Sequence, residues 1–364
     1  MMADLMRGLR DKADVSAVLF EEGALARLLR KEDFAVDVLP LKLRTTKEAG
    51  LLKRLLDLPA LGLLALRLTT KLRNFDLIYA NTPKALVAGA IASRLSGKRL
   101  AFHLHDILDE THFSAGNVRL LINLLNKRAT AVVANSEATR DAFVAAGGRV
   151  ALVTVVYNGF AVRTENLPEQ QTARNRFGWK SGEKVAVIAG RIAEWKGQHV
   201  LLEALRSAKD WKACVVGDAL FTGGDQLYKR RLEEMAKELT LEGRVTFTGF
   251  VEDPGAYYAA ADAVVHCSTA PEPFGRVIVE GMLAGRPVIA TNHGGATEIL
   301  RDGATGFLVE PGNPIALARV LERIAEEPDT AARVALAGRE DARKRFDLAE
   351  ITKQVLGVLQ KAAQ

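Results

Sequence analysis

Short runs of β-branched and apolar residues alternate with longer stretches of helical character along this 364-residue chain. Parallel strands that are buried on both faces give such near-continuous apolar runs, and successive parallel strands need a crossover, usually a helix, between them. The alternation therefore predicts an α/β protein built on doubly wound parallel sheets. Ligands of such sheets bind at the carboxyl ends of the strands, so candidate site residues are sought there.

The strand candidates fall into two series, which predicts two domains. The first series comprises 14–20, 35–41, 75–81, 99–106, 130–136 and 150–159. The second series comprises 184–191, 212–218, 245–250, 263–268, 286–291 and 306–311. Helical stretches separate the strands, and in 83–97 the terminal Gly97 is suited to end a helix. The polar stretch 161–179 between the two series suits a linker.

Composition and missing motifs exclude several classes of protein. Hydrophobic residues make up 48% of the chain and charged residues 26%, which excludes a disordered or collagen-like protein. The two cysteines, Cys214 and Cys267, form no disulfide framework or zinc cluster and fit a reducing compartment. No GxGxxG follows an early strand, and GxxxxGK[ST] and GxSxG are absent. These absences argue against nicotinamide and flavin dehydrogenases, P-loop hydrolases and α/β-hydrolases, and no metal site is expected.

The positive charge is concentrated between residues 41 and 75. Eight basic residues stand against two acidic ones there, a surplus equal to the net charge of +6 of the whole chain. Leucines recur at three- and four-residue spacing in the same segment, and a basic amphipathic segment of this kind can lie on an anionic membrane surface. The alternative is a pair of core-packed helices whose basic side chains face water. Nucleic acid is not expected as a partner, because no aromatic platform accompanies the charge.

The segment 271–311 carries the strongest motif. Glu272 lies in a turn before Gly275, and Glu280 lies in the helix predicted to follow. The start of that helix directs backbone N–H groups and a positive dipole at an anion, and Gly275 permits close backbone approach. The two carboxylates could bind hydroxyl groups of a ligand. The alternative is an ordinary capping carboxylate together with a surface glutamate.

Two further groups follow predicted strands. Gly190, Arg191 and Lys196 come directly after the strand 184–191, where two cations suit a diphosphate. Solvated charges on a connecting loop are the alternative for that pair. His105 ends the strand 99–106, where it could contact a sugar hydroxyl or serve a structural role.

The chain resembles the family 4 retaining glycosyltransferases of GT-B architecture, the glycosyl transferases group 1, in four motifs taken together. These are GRIAEWKG, GFVEDPGAYYAAADAVVHCS, EPFGRVIVE and NHGGATEILRDGATGFLVEPG. The resemblance implies two Rossmann-like domains that face a cleft. It implies an acceptor-side domain over 1–160, a nucleotide-sugar-binding domain over 161–345, and a final helix over 346–364 that crosses back to the first domain.

The resemblance also implies roles for the residues singled out above. The catalytic and donor-binding set would be Gly190, Arg191 and Lys196 at the diphosphate, Phe250 and Val251 at the base, Glu272 with the backbone of Phe274 and Gly275 at the donor sugar, Glu280 at the ribose, and His105 facing the reacting sugar. The co-substrate would be a UDP- or GDP-linked sugar, and no metal or other cofactor would be needed.

The implied function is a hexosyltransferase that retains anomeric configuration and builds a cell-surface polysaccharide on a glycan or lipid-linked acceptor. Such an enzyme would be cytoplasmic and peripheral at the inner membrane face. Two alternatives share the fold: a nucleotide-sugar-binding protein with impaired or absent catalysis, and a nucleotide-sugar epimerase. One departure favours impaired catalysis, because the family opens with a strand and a Gly-rich loop. This sequence begins with a helix, so its N-terminal domain is expected to lack that first strand.

Overall fold

The computed structural model describes residues 1–41, 58–110, 113–161, 167–220 and 222–364. The chain divides into two compact units. The N-terminal unit comprises Met1–Ala161 together with Leu348–Gln364, and the C-terminal unit comprises Val162–Asp347. Each unit is built on parallel strands with interleaved helices, so the predicted fold class is confirmed.

The elements of the N-terminal unit follow the predicted first series, and each predicted strand contains an observed one. The strands are β1 (Ser16–Leu19), β2 (Ala35–Val38), β3 (Leu77–Ala80), β4 (Arg99–Leu104), β5 (Ala131–Ala134) and β6 (Val153–Val155). The helices are α1 (Met2–Leu9), α2 (Ala24–Lys31), α3 (Leu58–Lys71), α4 (Pro83–Ser96), α5 (Ala115–Arg128), α6 (Glu137–Ala145) and the final helix α15 (Leu348–Ala363). Gly97 ends α4, as predicted.

The strands of this unit form two separate sheets. A parallel ladder joins β1 to β2, and a second sheet has the order β3-β4-β5-β6. Within the described residues, no strand pairs with both β1 and β3. The first element is α1, and its Leu5 and Leu9 pack with Ile351 and Val355 of α15 in one buried cluster.

The elements of the C-terminal unit follow the predicted second series, and each predicted strand overlaps an observed one. The strands are β7 (Lys184–Ala189), β8 (Trp211–Val216), β9 (Val245–Phe247), β10 (Ala263–His266), β11 (Val288–Thr291) and β12 (Phe307–Val309). The helices are α7 (Gln170–Phe177), α8 (Gln198–Ala204), α9 (Gly223–Glu238), α10 (Gly255–Ala260), α11 (Arg276–Leu283), α12 (Ala296–Ile299), α13 (Pro314–Glu326) and α14 (Pro328–Arg345).

In the sheet of the C-terminal unit, the order in which strands are added reverses at the centre. Its order is β12-β11-β10-β7-β8-β9, with parallel pairing throughout. The chain runs outward from β7 through β8 to β9, and then returns to the other side of β7 with β10. Crossovers that leave neighbouring strands in opposite directions open a crevice at the strands' carboxyl ends. The crevice between β7 and β10 is therefore where this unit is built to bind a ligand.

The predicted linker is wrong over its second half, because residues 170–177 form the helix α7 of the C-terminal unit. Arg174 is 4% exposed and donates to Asp262 Oδ2 at 2.7 Å and to the Lys180 carbonyl at 3.0 Å. Asp262 Oδ2 also accepts from the Val185 amide at 2.8 Å. Most other polar residues of α7 are exposed, but this ion pair of buried Arg174 with partly buried Asp262 ties α7 to the residue that precedes β10. Residues 162–166 of the predicted linker lie outside the described residues.

We expect Arg174→Met to destabilise the C-terminal unit by about 3 kcal/mol, because it leaves the Asp262 carboxylate without its buried partner. Urea unfolding followed by tryptophan fluorescence checks this, since the chain's three tryptophans, Trp179, Trp195 and Trp211, all lie in that unit. The matched control is Arg323→Met. Its exposed pair with Glu327 contributes at most about 0.5 kcal/mol. Equal losses in the two variants would contradict a stabilising role for the buried pair.

Candidate functional site

The crevice of the C-terminal unit is lined by the segments that follow β7 and β10. After β7 come Gly190 and Arg191, and then a 3₁₀ turn at Glu194–Lys196. After β10, the chain runs through the turn that holds Glu272 and enters α11 at Gly275. Because β7 and β10 are paired neighbours, the two sequence motifs that predicted a diphosphate site and a hydroxyl site come to the same edge of the sheet.

A glycine lets the two segments touch. Gly197 follows the 3₁₀ turn with φ +70, and a Cβ atom there would lie 2.0 Å from the Cys267 carbonyl oxygen. A side chain at this position would force the segments apart, so the close approach requires glycine. The Thr269 amide also donates to the Trp195 carbonyl at 2.8 Å. These contacts bring Lys196 to Glu272.

Lys196 and Glu272 form a partly enclosed ion pair at the centre of the site. Lys196 Nζ lies 2.6 Å from Glu272 Oε2, and the two side chains are 22% and 12% exposed. Burial by itself would raise the pKa of the Glu272 carboxyl, but Lys196 and His266 outweigh burial and hold that pKa well below its ordinary value. Glu272 is therefore ionised at neutral pH.

Two polar residues that the sequence analysis did not single out complete the surroundings of this carboxylate. Ser268 Oγ donates to Glu272 Oε2 at 3.0 Å, and His266 Nε2 lies 3.3 Å from the same oxygen. Positions 266 and 268 are two residues apart at the end of a strand, the spacing that places side chains on one face. That alternation was the available sequence signal for the pair.

A second close approach fixes the backbone of Glu272. The Gly295 amide donates to the Glu272 carbonyl at 2.8 Å. Gly294 has φ +59, and a Cβ atom at this position would lie 2.5 Å from the same carbonyl oxygen. The paired-glycine turn after β11 therefore packs directly on the Glu272 backbone. His293, which precedes it, contacts the Ser268 carbonyl through Nε2 at 2.9 Å.

Arg191 and Lys196 share an aromatic neighbour. The Trp195 ring lies 4.2 Å from Lys196 Nζ and 5.8 Å from Arg191 Cζ, measured to the ring centroid. Cations are attracted to the face of an indole ring, which orients them without neutralising their charge. The structure thus brings Arg191, Lys196 and Glu272 to one site, with Trp195 as a further member that the sequence analysis missed.

The second carboxylate has one partner on its own helix and one on the neighbouring helix α10. Glu280 lies on α11 and accepts from Arg276 at 3.3 Å and from the Tyr258 hydroxyl at 3.1 Å. Burial is the main cause that raises the pKa of Tyr258 well above its ordinary value, with Glu280 adding to the shift, so this hydroxyl stays protonated and donates. Tyr258 therefore orients Glu280, and it too was missed.

The remaining predicted residues differ in what they expose. The Phe274 side chain is 2% exposed and packs edge-on against Phe346, with ring centroids 5.7 Å apart. Phe250 is 65% exposed, and Val251 beside it is half-buried. Gly190 follows β7, and its amide donates to the Val216 carbonyl at 2.9 Å.

His105 lies in the N-terminal unit, directly after β4. Its ring stacks on His103, with centroids 4.0 Å apart. His103 in turn contacts the Tyr79 hydroxyl through Nδ1 at 2.7 Å. Burial lowers the pKa of His103 well below its ordinary value, which makes this a neutral ring at physiological pH. A neutral, fixed neighbour holds His105 at the end of its strand.

Two family models match the chain. The model for glycosyl transferases group 1 matches residues 169–341, which contain the whole site of the C-terminal unit. The model for the glycosyl transferase 4-like domain matches residues 1–159. The chain belongs to the group 1, family 4 glycosyltransferases. This membership and the two parallel-sheet domains identify the architecture as GT-B.

Solved and curated relatives of this glycosyltransferase agree with the family. HepE of Anabaena, crystallised with UDP-glucose, is 39% identical and aligns over 99% of this chain and 94% of its own with a TM-score of 0.88. LpsE of Rhizobium meliloti, a lipopolysaccharide core biosynthesis glycosyltransferase, is 34% identical over 48% of this chain and 49% of its own length. EpsD of Bacillus subtilis, a putative glycosyltransferase, is 30% identical over 58% of this chain and 55% of its own length. The chain spans about half the length of the curated relatives it matches.

The described residues hold neither a metal-binding cluster nor a membrane-spanning helix. No group of three or more His, Cys, Asp or Glu side chains in this part of the glycosyltransferase is arranged to hold a metal ion. None of the helices that the structure describes has the length and apolar character needed to cross a membrane.

The ion pair should make the stability of the C-terminal unit depend on pH. Because the pKa of Glu272 lies below its ordinary value of 4.5 in the folded protein, its contribution is complete well above that pH and is lost as the pH falls through and below it. Glu272→Gln removes this titration. The stability of the wild type relative to the variant should fall by roughly 1 kcal/mol between about pH 6 and about pH 4, measured by urea unfolding with tryptophan fluorescence. A difference that is constant over this range would contradict the pairing.

Proposed function

We propose that this chain transfers a hexosyl group from a nucleotide-diphosphate sugar, with UDP-glucose as the first candidate donor, to a glycan or lipid-linked acceptor in cell-surface polysaccharide synthesis. The observation that carries the proposal is the Lys196–Glu272 pair at the crevice of a parallel sheet. It places a cation for a diphosphate beside an acceptor for sugar hydroxyls. The UDP-glucose bound to HepE and the lipopolysaccharide role of LpsE support the donor and the pathway class.

The diphosphate is assigned to Arg191 and Lys196. Breaking the bond between sugar and phosphate builds negative charge on the diphosphate, and fixed cations stabilise that charge in the transition state. Arg191 offers a planar fork of donors and Lys196 a mobile point charge. Trp195 holds both cations in place without competing for their charge.

The rest of the donor is assigned to neighbouring groups. Glu272 accepts hydrogen bonds from the donor sugar, Glu280 binds the ribose hydroxyls, and Phe250 with Val251 borders the base. His105, at the carboxyl end of β4, is assigned to the reacting sugar. Because Glu280 is held by Tyr258 and Arg276, its carboxylate is oriented before the nucleotide arrives, which lowers the entropy lost on binding.

Transfer is proposed to retain the anomeric configuration and to need no metal. The acceptor hydroxyl must lose its proton as it attacks the sugar. The departing diphosphate can take that proton on the face it leaves. Arg191 and Lys196 supply the charge stabilisation that a metal ion would otherwise give. Unchanged transfer in the presence of a chelator would agree with this assignment.

The acceptor side is proposed to dock on an anionic membrane surface through α3. Residues 42–57 of the basic segment lie outside the described residues. The helix α3 forms most of the remainder of that segment. Leu63 and Leu66 are 53% and 58% exposed, and Arg67 is exposed on the same face. Leu64 and Ala65 on the opposite face are buried, so the helix carries apolar residues on both sides. A helix that merely covers a core has no need of the outer leucines.

Binding and turnover test the donor assignment. UDP should bind the wild type, and Lys196→Ala and Arg191→Ala should each weaken that binding about 10- to 100-fold, because each removes a charge-assisted contact. Isothermal titration calorimetry measures the affinities. Arg231→Ala is the matched control, since this arginine pairs with Glu238 on the exposed face of α9 and should leave the affinity unchanged.

Unchanged UDP affinity in both site variants would show that the diphosphate lies elsewhere. A panel of UDP- and GDP-linked sugars then identifies the donor by thermal shift. Release of UDP in the presence of acceptor extracts separates an enzyme from a protein that only binds the nucleotide sugar. Anomeric coupling constants of the product, measured by NMR, decide between retention and inversion.

Vesicle co-sedimentation tests the membrane surface. We expect the protein to bind anionic vesicles, to be released as salt rises, and to bind neutral vesicles weakly. Leu63→Gln with Leu66→Gln should weaken binding at least about tenfold, because inserted leucines contribute through buried apolar area. The control replaces Leu227 and Leu336, equally exposed leucines of the C-terminal unit, by glutamine. Equal effects of the two double variants would contradict docking through α3.

A further inference from the structure

Glu272 uses its two carboxylate oxygens differently. Oε2 is within 3.3 Å of three groups, Lys196 Nζ, Ser268 Oγ and His266 Nε2. No group in the described part of the chain donates a hydrogen bond to Oε1. One oxygen thus anchors the carboxylate to the protein, and the other is available to a ligand.

The anchoring groups continue into a buried polar chain. Ser268 Oγ lies 3.0 Å from His266 Nε2, and His266 Nδ1 lies 3.4 Å from Thr291 Oγ1. Ser268 is fully buried, and His266 and Thr291 are 4% and 1% exposed. The three residues come from the ends of β10 and β11, next to the crevice. Burying polar groups costs free energy unless each one is hydrogen-bonded, so a buried cluster of this kind depends on its internal hydrogen bonds.

When the imidazole is neutral, all the hydrogen bonds of this series from Thr291 to Glu272 can run in one direction. Thr291 O–H donates to His266 Nδ1, His266 Nε2–H donates to Ser268 Oγ, and Ser268 O–H donates to Glu272 Oε2. Each hydroxyl gives its single proton once, and the chain ends on the only anion in it. Hydrogen bonds aligned in this way strengthen one another and fix the orientation of the terminal acceptor.

The arrival of a donor changes the balance around Glu272. A diphosphate carries more negative charge than one carboxylate, so it draws Lys196 Nζ toward itself. Glu272 would then keep a buried negative charge without its main partner, a state that favours protonation or movement of the side chain. Ser268 and His266 are the groups already in place to prevent this.

We propose that Thr291, His266 and Ser268 are positioning residues that hold Glu272 ionised, with Oε1 toward the donor sugar, when the diphosphate takes over Lys196. The proposal rests on the proposed function, because it assumes a nucleotide-sugar donor. It predicts that the three residues affect the affinity for the sugar part of the donor and not the affinity for the nucleotide part. The three residues thereby determine how much more tightly the protein binds the nucleotide sugar than the bare nucleoside diphosphate.

Calorimetry with UDP and with UDP-glucose separates the two contributions. Ser268→Ala and His266→Leu should each raise the Kd for UDP-glucose about tenfold and change the Kd for UDP less than about twofold. Thr291→Val, at the end of the hydrogen-bonded series farthest from Glu272, should show the same pattern with a smaller effect. His266→Gln restores a donor near the position of Nε2 and should recover part of the affinity for UDP-glucose.

A matched control and the UDP titration distinguish a loss of positioning from misfolding and from failure of the proposed function. Thr352→Val removes a fully buried threonine hydroxyl in the N-terminal unit and should leave both affinities unchanged. Retained UDP binding shows that a variant is folded, and if His266→Leu does not fold, Ser268→Ala and Thr291→Val decide. If the variants bind UDP-glucose as well as the wild type does, or lose UDP equally, the positioning role is wrong. If the wild type binds neither ligand, the proposed function itself fails and this inference with it.

Discussion

The ion pair between Lys196 and Glu272 is the interaction on which the site depends. Two charges held largely away from water are costly unless hydrogen bonds satisfy them, and removal of one partner leaves the other uncompensated. The surrounding structure meets this demand from three directions, with Trp195 at the cation, Ser268 and His266 at the carboxylate, and the Gly294–Gly295 turn at the backbone. Such a pair is stable without a ligand and still close enough to solvent to exchange partners with one.

The same arrangement explains why the site lies at this edge of the sheet. The strand order reverses between β7 and β10, so the segments that follow these strands diverge above the sheet and leave a crevice. Gly197 then allows one segment to lie against the other, within a distance that any Cβ atom would forbid. The family models and the two parallel-sheet units establish the family and the GT-B architecture, while the donor, the acceptor and the stereochemistry are proposals.

Much of the fold could be predicted from the sequence, because buried parallel strands and their crossover helices have distinct periodicities. Every predicted strand overlaps an observed one, and only β8 extends beyond its predicted range, by one residue at Trp211. The linker prediction was partly wrong because Arg174, one polar residue of α7, is buried and paired with Asp262, although most other polar residues of that helix are exposed. Local polarity does not reveal whether an arginine such as Arg174 meets a carboxylate from a distant strand.

The sequence alone determined the family, the two α/β domains, and the residue types that follow each strand, since these depend on local pattern and short motifs. Only the tertiary structure decided that Lys196 reaches Glu272, 76 positions away, and that His266, Ser268 and Thr291 stand behind it. Tyr258 behind Glu280 is a further case. Strand order and close backbone approach set these contacts, and neither property is written in the periodicity of any one segment.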